Sequence, residues 1–177
     1  MESGEKIEIL GNSARFDICA SSCFTSKGRR RAPYGLPRWI YPAVRPDGRH
    51  VLLMKVLMSN SCRNSCAYCQ NRCGGSDRPV SFSPDELART FLDLHHQGLA
   101  EGLFLSSAVE NDTTMSRMLD AVEILRNRRG FGGYIHLKIL PGAGFCQVER
   151  AVELANRVSV NLEAGSPEHL NSLAPDK

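Results

Sequence analysis

Four of the seven cysteines in this 177-residue chain crowd into twelve residues, at Cys62, Cys66, Cys69 and Cys73; Cys19, Cys23 and Cys146 lie far from them. The segment Cys62-Arg63-Asn64-Ser65-Cys66-Ala67-Tyr68-Cys69 reads C-x3-C-x2-C. Iron in a 4Fe-4S cube is held by cysteine thiolates, ordinarily four of them. Three thiolates on one tight loop anchor three irons and leave the fourth open to an external ligand. Cys73 follows by a further x3, so all four could instead close an electron-transfer cluster or a structural zinc site. Ferredoxin-type runs are C-x2-C-x2-C-x3-C-P, whereas here the first gap is x3 and Gly74 stands where the Pro would be. An odd number of cysteines behind an acidic, polar N-terminus argues for thiols or metal ligands rather than a disulfide framework.

A cluster loop needs a rigid support. The apolar run 51–58 (VLLMKVLM) predicts a strand covered on both faces, and it delivers the loop at its C-terminal end, where parallel αβ folds hold their active sites. Ser83, Pro84 and Glu86 then give an N-cap, a first-turn proline and a capping glutamate. They predict a helix with Leu87, Phe91 and Leu94 on one face, closed by Gly98. Residues 102–107 predict a second strand. Thr113 or Thr114 opens a helix carrying Met118, Val122 and Leu125, which Gly130 ends. Residues 134–140, 147–155 and 158–162 continue as strand, helix and strand, and Ser166-Pro167-Glu168 opens another helix. Four rounds of this alternation mean right-handed βαβ units and a parallel sheet, a partial (β/α) barrel of TIM type. A closed barrel takes roughly 250 residues, so the expectation is a sequence truncated after about the fourth strand.

Residues 1–50 contrast with this. They carry nine Lys or Arg against five Asp or Glu, together with Pro33, Pro37, Pro42 and Pro46, and predict an irregular basic N-terminal collar on a barrel unit of 51–177. Within the collar, Lys27, Arg29, Arg30 and Arg31 interleave with Tyr34, Arg38, Trp39 and Tyr41, a pattern suited either to single-stranded nucleic acid or to a solvated surface.

The C-x3-C-x2-C spacing, with aromatic Tyr68 just before the third cysteine, resembles the radical S-adenosylmethionine (SAM) superfamily. The resemblance implies a [4Fe-4S] cluster on Cys62, Cys66 and Cys69, with SAM chelating the open iron near Tyr68. It also implies reductive cleavage of SAM to a 5′-deoxyadenosyl radical and an electron donor such as flavodoxin or ferredoxin. Ser106 and Ser107 end the second strand where the superfamily's Gly-Gly-Glu-type motif meets the SAM amino group, although this chain reads Ser106-Ser107-Ala108 there. Asn161 and Glu163, two apart on an extended segment, share a face. A similar Asn-x-acid pair reaches the ribose hydroxyls in biotin-synthase-like members. Lys138, on the third strand among apolar neighbours, is a candidate for the SAM carboxylate.

A closer resemblance rests on Glu8-Ile9-Leu10-Gly11, on 53–58, on 101–107 (EGLFLSS), on 133–138 (GYIHLK) and on 173–177 (LAPDK). Together these are similar to the DNA modification/repair radical SAM family. That family implies a nucleic-acid substrate, a uracil-DNA-glycosylase-like partner protein and sequence continuing past position 177.

Composition limits the rest. At 19.5 kDa, 42% hydrophobic and 23% charged, the chain reads as globular, and a net charge of +3 does not by itself demand an anionic partner. No apolar run approaches the ~20 residues of a bilayer-spanning helix, so neither a membrane partner nor a signal peptide is expected, and the expected location is cytoplasmic. Cys19, Cys23 and Cys146 read as free or packed thiols, and His95 with His96 as a solvated pair. His136 reads as either an interior histidine or a substrate contact. Met54, Met58, Met115 and Met118 read as core.

Overall fold

The computed structural model describes residues 1–17, 37–44, 48, 50–75 and 78–177. Cys19, Cys23, the basic run 27–31 and Tyr34 lie outside the described residues. A helix, α1 (Ser3–Ser13), and a short 3₁₀ turn (Ala14–Phe16) are followed by β1 (Ile40–Val44), β2 (His50–Leu57) and α2 (Pro84–His96). Then come β3 (Gly102–Ser106), α3 (Thr114–Glu123) with a π-type turn (Ile124–Arg128), β4 (Tyr134–Lys138), α4 (Phe145–Leu154), β5 (Arg157–Ser159) and α5 (Pro167–Leu173). The strands form one sheet in chain order, with β1 antiparallel to β2 and the others parallel. The α/β alternation expected from the sequence is present, as a partial barrel wall.

Two corrections concern residues 1–50. The described part of this region is regular: α1 buries Ile7 and Leu10, and β1 pairs along the whole of β2's first half. Mixed acidic and apolar positions hid the helix. Pro42 hid the strand, because a proline cannot donate to a ladder and is tolerated only at a sheet edge, where β1 lies. Trp39 is also not a free stacking platform. It is buried, its indole Nε1 donates to Glu8 Oε1 (2.9 Å), and its Cβ is where a side chain on Gly11 would fall, at 2.3 Å. Tyr41 is half-buried in β1 with the Lys55 ammonium 5.5 Å from its ring centre.

Strand geometry sends alternate side chains to opposite faces. On one face Met54, Val56, Leu103, Leu105, Ile135 and Leu137 join Leu87, Phe91, Met118, Val122 and Leu125 of the helices in the main core. Each such Leu or Ile contributes about 1.5–3 kcal/mol by leaving water. Met54, Met58, Met115 and Met118 are all buried there. The other face has a small apolar base of Val51, Leu53 and Phe104 and then turns polar toward the strands' C-terminal ends, with Lys55, Ser106, His136 and Lys138. The strands approach closely at Gly102, where a Cβ would stand 2.6 Å from the Tyr134 carbonyl oxygen.

Boundaries differ in smaller ways. The capping box of Ser83 and Glu86 is formed as expected. At α3 the threonine side chains cap nothing: Thr113 and Thr114 instead hydrogen-bond Asn111, whose Asx turn precedes the helix. α4 starts at Phe145, leaving Cys146 exposed rather than packed. β4 stops at Lys138 and β5 at Ser159, so Asn161 and Glu163 lie past the strand. Among the described residues β5 pairs on one side only, and Val160 and Leu162 beside it are 71% and 86% exposed. His95 is half-buried rather than solvated. Its Nδ1 is 2.8 Å from the Ala100 carbonyl oxygen, and its ring meets Phe131 edge-on. Among the described residues no helix is long and apolar enough to cross a membrane.

Candidate functional site

The polar face of the sheet opens at the C-terminal ends of β2, β3 and β4 into a cavity of about 290 Å³. Its wall includes Cys62, Cys66 and Cys69, and also Tyr68, Ser106, Ser107, Lys138, Asn161 and Glu163. Residues expected from sequence to hold a cluster and its ligand therefore converge from a loop, two strand ends and the segment after β5, across about a hundred positions of chain. Leu57, Val109, Ile139 and Leu140 supply apolar wall between them.

The cysteine loop leaves β2 through a pinned corner. The Ser106 carbonyl accepts from the Met58 N–H (2.8 Å), and buried Asn60 both donates to the Arg78 carbonyl and accepts from the Val80 N–H. The Arg63 N–H donates to the Val109 carbonyl (2.8 Å), tying the loop to the exit of β3. Its far side is held by the turn after α5. The Asp176 carboxylate accepts from the Ser65 N–H (2.6 Å) and hydroxyl (2.5 Å), and the Leu173 carbonyl accepts from the Ala67 N–H (2.8 Å). Cys66 is buried and Cys62 and Cys69 are half-buried, whereas Cys73 is exposed and outside the cavity wall.

The donor set fits a cluster. Burial pushes the Cys69 thiol up, a bond from the Asn71 backbone opposes this, and the neighbouring Cys62 and Cys66 push it further up. A Cys69 thiolate held up in this way is relieved by a cation bound beside it. A single zinc needs its ligands drawn to about 2.3 Å from one point. Three thiols lining one cavity wall suit a cubane, in which each binds a different iron.

Around the cysteines the polar side chains are already engaged. Asn161 Nδ2 donates to Glu163 Oε1 (3.3 Å), and Glu163 sits at a left-handed φ of 31°. The expected pair thus meets past the end of β5, with Glu163 in the left-handed region, rather than along an extended face. Lys177 Nζ donates to Glu163 Oε1 (2.6 Å) and to the Tyr68 hydroxyl (3.0 Å). Burial pushes the Glu163 carboxyl up, but Lys177 and the bonds from Tyr68 and Asn161 outweigh it and leave the carboxyl below its ordinary value. The Tyr68 phenol, at the lip of the cavity, is pushed up to about 12, chiefly by partial burial. The Ser107 hydroxyl accepts from the Ser59 N–H (3.2 Å) and donates to the Ala108 carbonyl (2.7 Å), locking β3's end to β2's exit.

Ser106 and Lys138 meet a partner that sequence reasoning missed. The Asp17 carboxylate, just past the 3₁₀ turn, takes the Ser106 hydroxyl on one oxygen and the Lys138 ammonium on the other. Burial pushes Lys138 down to about 8, with Glu163 opposing the fall and Lys177 adding to it. Asp17 and Lys177 also line the cavity. They lie 121 positions before Lys138 and 109 after Tyr68, and no motif links such pairs. His136 lies one row deeper on the same face, edge-on to Phe104 at 4.7 Å and 2.8 Å from the Ser159 hydroxyl, and does not line the cavity.

Comparison with known proteins agrees with this geometry. The family model described as Radical SAM superfamily matches residues 56–176. No curated protein matches the chain. The crystal structure of HydG, a maturase of the [FeFe]-hydrogenase, superposes with a TM-score of 0.55 at 15% identity, over 68% of this chain and 27% of that one. HydG from Carboxydothermus hydrogenoformans superposes with a TM-score of 0.53 at 21% identity, over 68% and 28%. At these identities the likeness speaks for the fold, and the chain spans little more than a quarter of either HydG chain.

Proposed function

Because this chain belongs to the radical SAM superfamily, whose members carry a [4Fe-4S] cluster and SAM, we propose that it acts as a radical SAM enzyme with Cys62, Cys66 and Cys69 as cluster ligands. One observation carries the reading: the three cysteines and all six expected SAM contacts line a single cavity. When bound, the cluster and SAM supply reductive cleavage to a 5′-deoxyadenosyl radical, which removes a substrate hydrogen. The chain's own part is to hold and enclose. Cys62, Cys66 and Cys69 would hold the cluster, with Tyr68 beside them on the same cavity wall. Asn161 and Glu163 offer an amide and a carboxylate to ribose hydroxyls. Ser106 and Ser107 would meet the amino group of SAM and Lys138 its carboxylate, and the apolar wall would exclude water.

The exposed position of Cys73, outside the cavity wall, weighs against the closed four-cysteine alternative. The test is anaerobic reconstitution followed by SAM. The reduced cluster's EPR signal changes and 5′-deoxyadenosine appears if the reading is right. A Mössbauer spectrum with every iron capped by protein sulfur would overturn it.

For the substrate we propose a nucleic-acid base or sugar, with a uracil-DNA-glycosylase-like protein as partner and a flavodoxin or ferredoxin as electron donor. Support comes from the motifs at 8–11, 101–107, 133–138 and 173–177 and from the basic run 27–31; buried Trp39 contributes none. Oligonucleotide binding that falls steeply with salt, and loses that slope when Arg29, Arg30 and Arg31 become Ala, is the expected result. Binding unaffected by the triple change would remove the nucleic-acid reading.

A further inference from the structure

Among the described residues, one nearly closed-off carboxylate site on the cavity wall is already filled by the chain itself. Asp17 presents two oxygens to two donors: Lys138 Nζ and Ser106 Oγ. Both partners of the ion pair are nearly closed off, with side chains 7% (Lys138) and 14% (Asp17) exposed, and Ser106 is buried. Lys55 Nζ also donates to the Asp17 carbonyl oxygen, fixing the backbone that carries the carboxylate. The placement is built from behind. α1 is anchored by buried Ile7 and Leu10, by the Lys6–Glu86 ion pair (2.6 Å) and by Gly11 against Trp39, and the 3₁₀ turn then drops Asp17 into the cavity.

Lys138 and Ser106 are also two of the groups assigned above to the amino-acid end of SAM. Asp17 already takes the Lys138 ammonium assigned above to the SAM carboxylate, so the two carboxylates contend for it. We propose that Asp17 is the built-in occupant of the cofactor's carboxylate subsite, and that the α-carboxylate of SAM displaces it on binding. The inference rests on the proposed function, since it takes the ligand of this cavity to be SAM. An exchange of one carboxylate for another leaves Lys138 paired both before and after SAM binds. That matters, because a buried ammonium stripped of its partner is strongly destabilising. The consequence is competition. SAM binds only the fraction of molecules in which Asp17 has swung out, and its apparent affinity is reduced by that fraction.

Equilibrium dialysis of the anaerobically reconstituted chain tests this with two ligands, SAM and decarboxylated SAM. Asp17→Asn keeps the side chain's shape, lacks the charge, and is expected to bind SAM about tenfold more tightly, as for an occupant in place about nine-tenths of the time. Decarboxylated SAM is expected to bind both proteins equally. Unchanged or weaker SAM binding by Asp17→Asn, or an equal change for both ligands, overturns the proposal. Should Asp17→Asn not fold, the unaltered chain answers by hydrogen exchange. The Asp17 amide, which donates to the Ala14 carbonyl (3.0 Å), exchanges faster with SAM and not with decarboxylated SAM, and equal protection in both overturns the exchange. SAM that binds neither protein removes the proposed function and this inference together; SAM that binds both alike removes this inference alone.

Discussion

Residue by residue, the cysteine loop separates ligands from bystanders. Cys66 is buried against the cavity and Cys73 is exposed outside it, so Cys66→Ser is expected to abolish iron loading while Cys73→Ser leaves iron and acid-labile sulfide per chain unchanged. Equal loss in both would point to a four-cysteine site. His136 carries a pH prediction. Burial first, then Arg157 and Lys55, push its imidazole down to about 4, so the unfolded chain binds the proton more readily. Its share of stability is complete above the ordinary value of 6.5 and is lost as pH falls toward and below about 4. Thermal unfolding between pH 7 and 4 should fall less steeply in His136→Gln than in the parent; parallel curves would clear His136. Much of the site was legible at this scale, because thiol spacing and strand-end serines are local signals. Asp17 and Lys177 were not, since their roles exist only once distant segments meet.

At the scale of elements, the readable signals were those with a local physical cause. A capping box, a first-turn proline and an apolar run each act within a few residues, and α2, β2 and β3 follow them closely. The π-type turn after α3 had no such signal, because its cause is tertiary. Arg126 on that turn donates to the carbonyls of Leu154 (2.8 Å), Phe131 (2.6 Å) and Gly133 (2.7 Å) and to Asn156 Oδ1 (2.7 Å). One guanidinium thereby gathers the end of α4 and the approach to β4. Burial pushes its pKa down, but it remains a cation at any ordinary pH. Arg126→Met strands those acceptors and is expected to cost about 2–3 kcal/mol in urea unfolding. A loss below that of an ordinary surface change, about 0.5 kcal/mol, would mean that the neighbouring turns hold without it.

For the whole molecule, the sheet organises two faces with different tasks, apolar toward the helices and polar toward the cavity, and α1 closes the assembly from the N-terminal side. That closure depends on a missing side chain. Gly11→Ala sets a methyl 2.3 Å from Trp39 Cβ and is expected to destabilise the fold by about 1–3 kcal/mol, read as a lower midpoint in circular dichroism melts. An unchanged midpoint would show that α1 shifts freely past Trp39. The same contact makes the protein self-reporting. Trp39 is the sole tryptophan, so tryptophan fluorescence comes from one indole wedged against Gly11 of the N-terminal helix, which itself lies six positions before the carboxylate that fills the cavity. Loosening of that segment lets water reach the ring and reddens its emission, giving an optical signal of an empty or loaded site without any added label.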